Sequence, residues 1–154
     1  MLGIVLRKYL LRRGVKGVKG WSGGALVLDT LKQYTETKVT KLIARPMLHI
    51  FFPELSHFEQ PLSGEVCARK EVWKSLLEKN PPDGWGIDVW FLIETAMSGY
   101  QIKEIFLGHK EHTSFEDYRE DIGKLAKMAE QVEFTIIKEA FKHGRIDLHG
   151  AVSI

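Results

Sequence analysis

Residues 81–112 read PPDGWGIDVWFLIETAMSGYQIKEIFLGHKEH. Pro81, Pro82, Asp83 and Gly84 break whatever helix precedes them and supply turn chemistry. Asp83 or Gly84 can cap the helix that follows. That helix is expected over Ile87–Met97, and it is apolar almost all round: Ile87, Val89, Trp90, Phe91, Leu92, Ile93, Ala96 and Met97. A helix without a polar face belongs inside a larger body. It is too short for a membrane span and carries Asp88 and Glu94. After Ser98 and Gly99 the run Tyr100–Leu107, with Ile102 and the triplet Ile105, Phe106 and Leu107, suits a mostly buried strand. Gly108 lets the chain turn, and His109 and His112 follow.

Two of these residues invite chemistry. Asp88 falls in the first turn of its helix, where the helix dipole favours an anion. It either stabilises that turn or presents a carboxylate at the mouth of a site. His112 follows a buried strand, and sites in α/β proteins lie beyond the carboxyl ends of strands.

Outward from this stretch the chain reads as follows. Met1–Arg13 is expected as a helix, with Leu2, Val5, Leu6, Tyr9 and Leu10 on one face and Gly14 ending it. Residues 15–24 alternate small apolar and basic residues and become glycine-rich: either a short strand ending in a loop, with Lys16, Lys19 and Trp21 able to meet an anion, or a plain flexible surface loop. The pattern has no Walker-type phosphate loop. Ala25–Gln33 suits either a strand or a short helix, and Tyr34–Lys38 a loop. Thr37 or Thr40 can cap the next helix, whose apolar face is Leu42, Ile43, Met47, Leu48, Ile50 and Phe51. Pro46 should kink it or mark where a turn ends, and Pro53 should end it. His57–Gln60 is expected as a short strand, Pro61–Gly64 as a loop, and Glu65–Lys79 as a strand passing into a helix with Val72, Trp73, Leu76 and Leu77 inward. After a capping box at Ser114–Asp117 a long helix is expected to about Lys142. Tyr118, Ile122, Leu125, Ala129, Val132, Ile136 and Ala140 form its stripe, which serves either a partner or the chain's own core. Gly144 ends it, and Arg145–Ile154 is expected as a loose tail.

Composition excludes little. A chain of 154 residues that is 44% hydrophobic can bury one ordinary core. The single cysteine, Cys67, allows no disulfide framework and suits a reducing, cytoplasmic setting. A net charge of +2 gives no sign of nucleic acid as a partner. The first residues lack the order of charged and apolar segments of a secretory signal, and no membrane partner is expected.

Four motifs in one order resemble a known family. They are Ala44-Arg45-Pro46-Met47, Gln60-Pro61-Leu62-Ser63-Gly64-Glu65, Gly84-Trp85-Gly86-Ile87-Asp88 and Leu107-Gly108-His109-Lys110-Glu111-His112. Together they resemble the C-terminal half of a GT-A nucleotide-sugar glycosyltransferase of the glucosyl-3-phosphoglycerate synthase and mannosylglycerate synthase type. The resemblance implies an α/β, helix-rich fold: the acceptor-binding half of the GT-A fold, with few short strands, a buried helix and a long C-terminal helix. It implies hexosyl transfer, with retention of configuration, from UDP-glucose or GDP-mannose to a small acidic acceptor such as a glycerate or phosphoglycerate.

By the same resemblance His112 is a ligand of a Mg or Mn ion, Asp88 the catalytic carboxylate, and Lys38, Val39, Thr40, Leu62, Gly64 and Trp85 the substrate-binding set. The other metal ligands would come from an Asp-x-Asp motif of a nucleotide-binding half, and this sequence contains no such motif. The expected organisation is an acceptor and metal side over 1–112, a long helix over 113–144 that packs or dimerises, and a tail over 145–154. Against the family pattern, Lys38 keeps a positive charge without the arginine fork, and Thr113 and Ser114 stand where the family has a phosphate-contacting Asn/Arg pair. Two other classes remain. One is a non-catalytic helical module that forms a homo-oligomer, and the other is a metal hydrolase built on His109 and His112.

Overall fold

The computed structural model describes residues 25–31, 39–64, 66–108 and 122–146. Its centre is the helix Ile87–Met97, in which every side chain from Val89 to Thr95 is buried. Val89, Leu92 and Ile93 are fully enclosed. Side chains of this size contribute about 1.5–3 kcal/mol each when taken fully from water. The aromatic rings interlock by edges: Phe91 meets Trp73 at 4.9 Å between centroids and Trp90 at 5.2 Å.

Chain order gives β1 (Ala25–Leu31), a π-helical turn (Thr40–Ala44) running into α1 (Arg45–Phe51), β2 (Val66–Cys67), α2 (Lys70–Leu77), α3 (Ile87–Met97), β3 (Gln101–Gly108) and α4 (Ile122–Lys142). β1 resolves as a strand because it lies between two others: antiparallel to β2 and parallel to β3 over its whole length. No periodicity within residues 25–31 carries that information. The wide turn before α1 has its cause at Pro46, which has no N–H to give. The Arg45 N–H reaches back to Thr40, and the ladder narrows to α-spacing beyond the proline.

Two helices end alike. Gly99 N–H donates to Ala96 O and Tyr100 N–H to Thr95 O, while Gly144 N–H donates to Phe141 O and Arg145 N–H to Ala140 O. Both glycines have positive φ, the backbone region this hydrogen-bonded stop requires. The stop at Gly99 sends the chain straight into β3. The stop at Gly144 sets Arg145 and Ile146, the first residues of the expected tail, onto the core: Arg145 pairs with Glu54 and stacks over Phe52, and Ile146 packs beside them.

Several expectations are corrected. His57–Gln60 is not a strand: the Phe58 N–H turns back to Leu55 O, and the Glu59 and Gln60 amides bond to a side chain and not to a neighbouring strand. Neither Asp83 nor Gly84 caps α3; Gly86 occupies that position, with no side-chain cap. Thr40 is buried within the first turn and does not cap it, the capping position being Val39. Leu77 faces solvent, since Val72 and Leu76 already define the buried face of α2. On α4, Val132, Ile136 and Ala140 of the stripe are buried in the chain's own core, but Ile122 is 76% exposed. The expectations for residues 1–24, 32–38, 109–121 and 147–154, including Tyr118, the capping box and the rest of the loose tail, lie outside the described residues.

Candidate functional site

The turn that opens α3 carries two of the sequence-derived candidates, Trp85 and Asp88. It is built against α4. Trp85 N–H donates to Gln131 Oε1 at 2.9 Å, across 46 residues. Gly86 is buried with no room for a side chain: a Cβ there would stand 2.0 Å from Thr135 Oγ1 and 2.9 Å from the Gln131 carbonyl. Thr135 Oγ1 itself donates to that carbonyl at 2.8 Å. Trp85 is left 48% exposed, a flat apolar surface at the rim of a buried helix, with half-buried Asp88 three residues on.

The loop carrying Leu62 and Gly64 is held by Glu104 of β3. Its two carboxylate oxygens accept from Glu59 N–H at 3.0 Å and Gln60 N–H at 2.8 Å. Two amides on one carboxylate are charge-assisted and fix both position and direction. Ser63 N–H then closes a turn on Gln60 O at 3.0 Å. Leu62 leans on the core, Gly64 is exposed with open space about it, and the Ser63 hydroxyl oxygen is buried with no hydrogen-bond partner among the described residues. Val39 and Thr40 are both buried at the start of the π-helical turn. Lys38, His109 and His112 lie outside the described residues.

Sequence reasoning missed a highly charged place in the interior, the most highly charged among the described residues. Glu94, fully buried in α3, accepts from Lys79 Nζ at 2.6 Å, Lys142 Nζ at 2.6 Å and His143 Nε2 at 2.7 Å. Lys79 Nζ also donates to Ser98 Oγ at 2.8 Å. Glu139, buried on α4, places Oε2 3.2 Å from Lys142 Nζ as an ion pair without hydrogen-bond geometry. Burial pushes Glu94 upward, but contacts from Glu139, Lys142, Lys79 and His143 outweigh it and hold the carboxyl below the usual carboxylate range. Burial and the neighbouring Glu94 push Glu139 the other way, with Lys142 pulling back.

Glu94, Glu139 and His143 offer donor atoms within 4.8 Å of one another, close enough for a metal ion. The place is already taken: Lys142 Nζ lies between the two carboxylates, and the two lysines neutralise them. The cluster is a joint between α3, the end of α4 and the turn that follows α2, where Lys79 sits. A signal for it existed only as an acidic residue in the middle of a mostly apolar helix. Among the described residues no helix is long and apolar enough to cross a membrane.

Comparison with known proteins follows the same lines as the motifs. The chain is 35% identical over 115 residues to glucosyl-3-phosphoglycerate synthase of Petrotoga mobilis, a match covering 73% of this chain and 33% of that protein. It is 32% identical over 94 residues to mannosylglycerate synthase of Rhodothermus marinus, covering 55% of this chain and 24% of that protein. The fold matches glucosyl-3-phosphoglycerate synthase from Mycobacterium tuberculosis in complex with Mn2+, UDP-glucose and phosphoglyceric acid, with a TM-score of 0.68 at 27% identity over 96% of this chain and 46% of that one. The chain therefore spans about a third of the first of these relatives and under half of the solved one. No family profile matches it.

Proposed function

We propose, for a chain that belongs to the glucosyl-3-phosphoglycerate synthase family of GT-A glycosyltransferases, that it supplies the acceptor and metal side of a hexosyl transfer. The donor is a nucleotide sugar, UDP-glucose or GDP-mannose, and the acceptor a small acidic molecule such as a glycerate or phosphoglycerate. The single observation that carries this reading is the match of the fold over 96% of the chain to an enzyme solved with Mn2+, UDP-glucose and phosphoglyceric acid.

In this reading Trp85 offers its face to the apolar side of the sugar, and Asp88 binds sugar hydroxyls or takes up a proton. Leu62 and Gly64 form the floor of the pocket, which Glu104 holds in place through the preceding amides. Lys38, Val39 and Thr40, where a helix starts, receive the acid group of the acceptor. Mg or Mn would supply neutralisation of the diphosphate leaving group. Toward such an ion this chain offers His112 and no Asp-x-Asp. One imidazole does not hold a hard cation that prefers several oxygens, so the remaining ligands belong to the diphosphate and to a nucleotide-binding segment.

The experiment is a titration of UDP-glucose and of GDP-mannose, each with Mn, into the chain and into His112→Ala. Binding that disappears with the histidine supports the reading. Failure of both proteins to bind would overturn it and leave the common ancestry. A second role rests on a separate observation: Phe134 and Phe141, seven residues apart on one face of α4, both stand exposed, and they favour self-association of the chain as a homo-oligomer.

A further inference from the structure

We infer that Gln131 and Thr135 of α4 are positioning residues for the sugar-facing edge, setting where Trp85 and Asp88 stand. The inference rests on the reading of that edge given above and goes beyond it, because neither residue belongs to any motif of the sequence.

Gln131 and Thr135 are one helical turn apart, on the same side of α4. Gln131 Oε1 accepts the Trp85 N–H at 2.9 Å, and it lies 2.6 Å from where a Cβ on Gly84 would be. Thr135 Oγ1 fills the space a Cβ on Gly86 would need, and its hydrogen bond to the Gln131 carbonyl fixes its rotamer. The segment Gly84–Trp85–Gly86 thus lies flush on one turn of α4. Both neighbours of Trp85 are glycine, so its ring is the one side chain the segment offers outward. From there the anchor passes directly into α3: Ile87 N–H donates to Gly84 O at 3.3 Å and Trp90 N–H to Gly86 O at 3.0 Å. Asp88 lies inside that first turn. A displacement of Gln131 therefore moves the ring and the carboxylate together.

The test uses the full chain as Gln131→Ala and Gln131→Glu, the second keeping an acceptor oxygen at the same reach. Two quantities are read: amide exchange at Trp85, and affinity for UDP-glucose with Mn. Gln131→Ala should speed exchange at Trp85 by about tenfold, the size of one hydrogen bond, while leaving Leu92 and Ile93 unchanged. It should weaken UDP-glucose by a comparable factor, and Gln131→Glu should restore both. Unchanged exchange at Trp85, or an equal rise throughout α3, overturns the inference. So does faster exchange at Trp85 with unaltered affinity. A wild-type chain that binds no nucleotide sugar would sink the functional reading itself, a result separate from the exchange at Trp85.

Discussion

Glu94 and Lys142 are 48 residues apart in sequence and meet at 2.6 Å, carboxylate to ammonium, with the carboxylate fully enclosed and the lysine half exposed. A buried charge is tolerated only when it is paired and its remaining lone pairs are satisfied. Glu94 meets both conditions through Lys79, Lys142 and His143. Glu94→Gln removes the charge that all three surround, and the loss should be about 3 kcal/mol, the lower end of the cost of breaking a buried pair, because both lysines can turn to water. Urea denaturation compares the variant with the parent. A loss under about 0.5 kcal/mol, the range of ordinary surface changes, would sink the idea that this joint holds the helices together.

The two carboxyls of the joint titrate in opposite senses. The folded state holds Glu94 low, so its contribution is present above the ordinary value of 4.5 and is lost as pH falls below it. Glu139 is raised, so its contribution is full below 4.5 and is lost as pH rises through its folded value. Stability carried by the joint should therefore peak in weak acid. Glu139→Gln keeps a neutral hydrogen-bonding group there and should flatten the decline on the alkaline side. Thermal unfolding of both proteins across pH 3–9 checks this, and parallel curves above pH 5 would contradict it.

The glycine of the helix-opening turn should resist the smallest enlargement. Gly86→Ala drives a methyl into Thr135 Oγ1 and the Gln131 carbonyl and should cost about 1–3 kcal/mol, as overpacking does. Adding Thr135→Ala relieves the side-chain clash but not the one with the carbonyl, so only part of the loss should return. Gly64→Ala meets nothing within 4 Å and serves as the control, with little change in Tm.

Glu104 holds its loop through two amides, and Glu104→Ala should release them. Exchange at Glu59 and Gln60 should rise while that of α3 does not, with a stability loss of about 1.5–3 kcal/mol, as for hydrogen bonds to a charged group. Hydrogen exchange read by NMR decides the matter. Protection that persists at both residues would show that the loop is held by something other than Glu104.

Self-association through α4 makes a prediction of its own. Phe134 is 66% exposed, so Phe134→Glu should leave the unfolding midpoint of the monomer nearly unchanged and shift the chain toward monomer. Light scattering at several concentrations measures the shift. Equal masses for variant and parent at every concentration would count against this face.

Part of this molecule was legible from residue types alone. The bounds of α3 follow from an unbroken apolar run between a Pro-Pro-Asp-Gly turn and Ser98-Gly99, because such a run has nowhere to go but inside and glycine is suited to the stop. The four motifs in order were enough to name the family. What the sequence left open was decided by partners far away in the chain. β1 became a strand because β2 and β3 flank it, His57–Gln60 became a loop because Glu104 took the Glu59 and Gln60 amides, and the α3 turn was shaped by Gln131 and Thr135. Glu94 reads in sequence as one acid that rules out a membrane span; in the fold it ties α3 to the end of α4 and to the turn after α2. Local pattern reports how a segment divides between water and core. It does not report which side chain, 45 residues on, will supply the hydrogen bond, and at Glu94, Glu104 and Gln131 only the tertiary structure chose the partner.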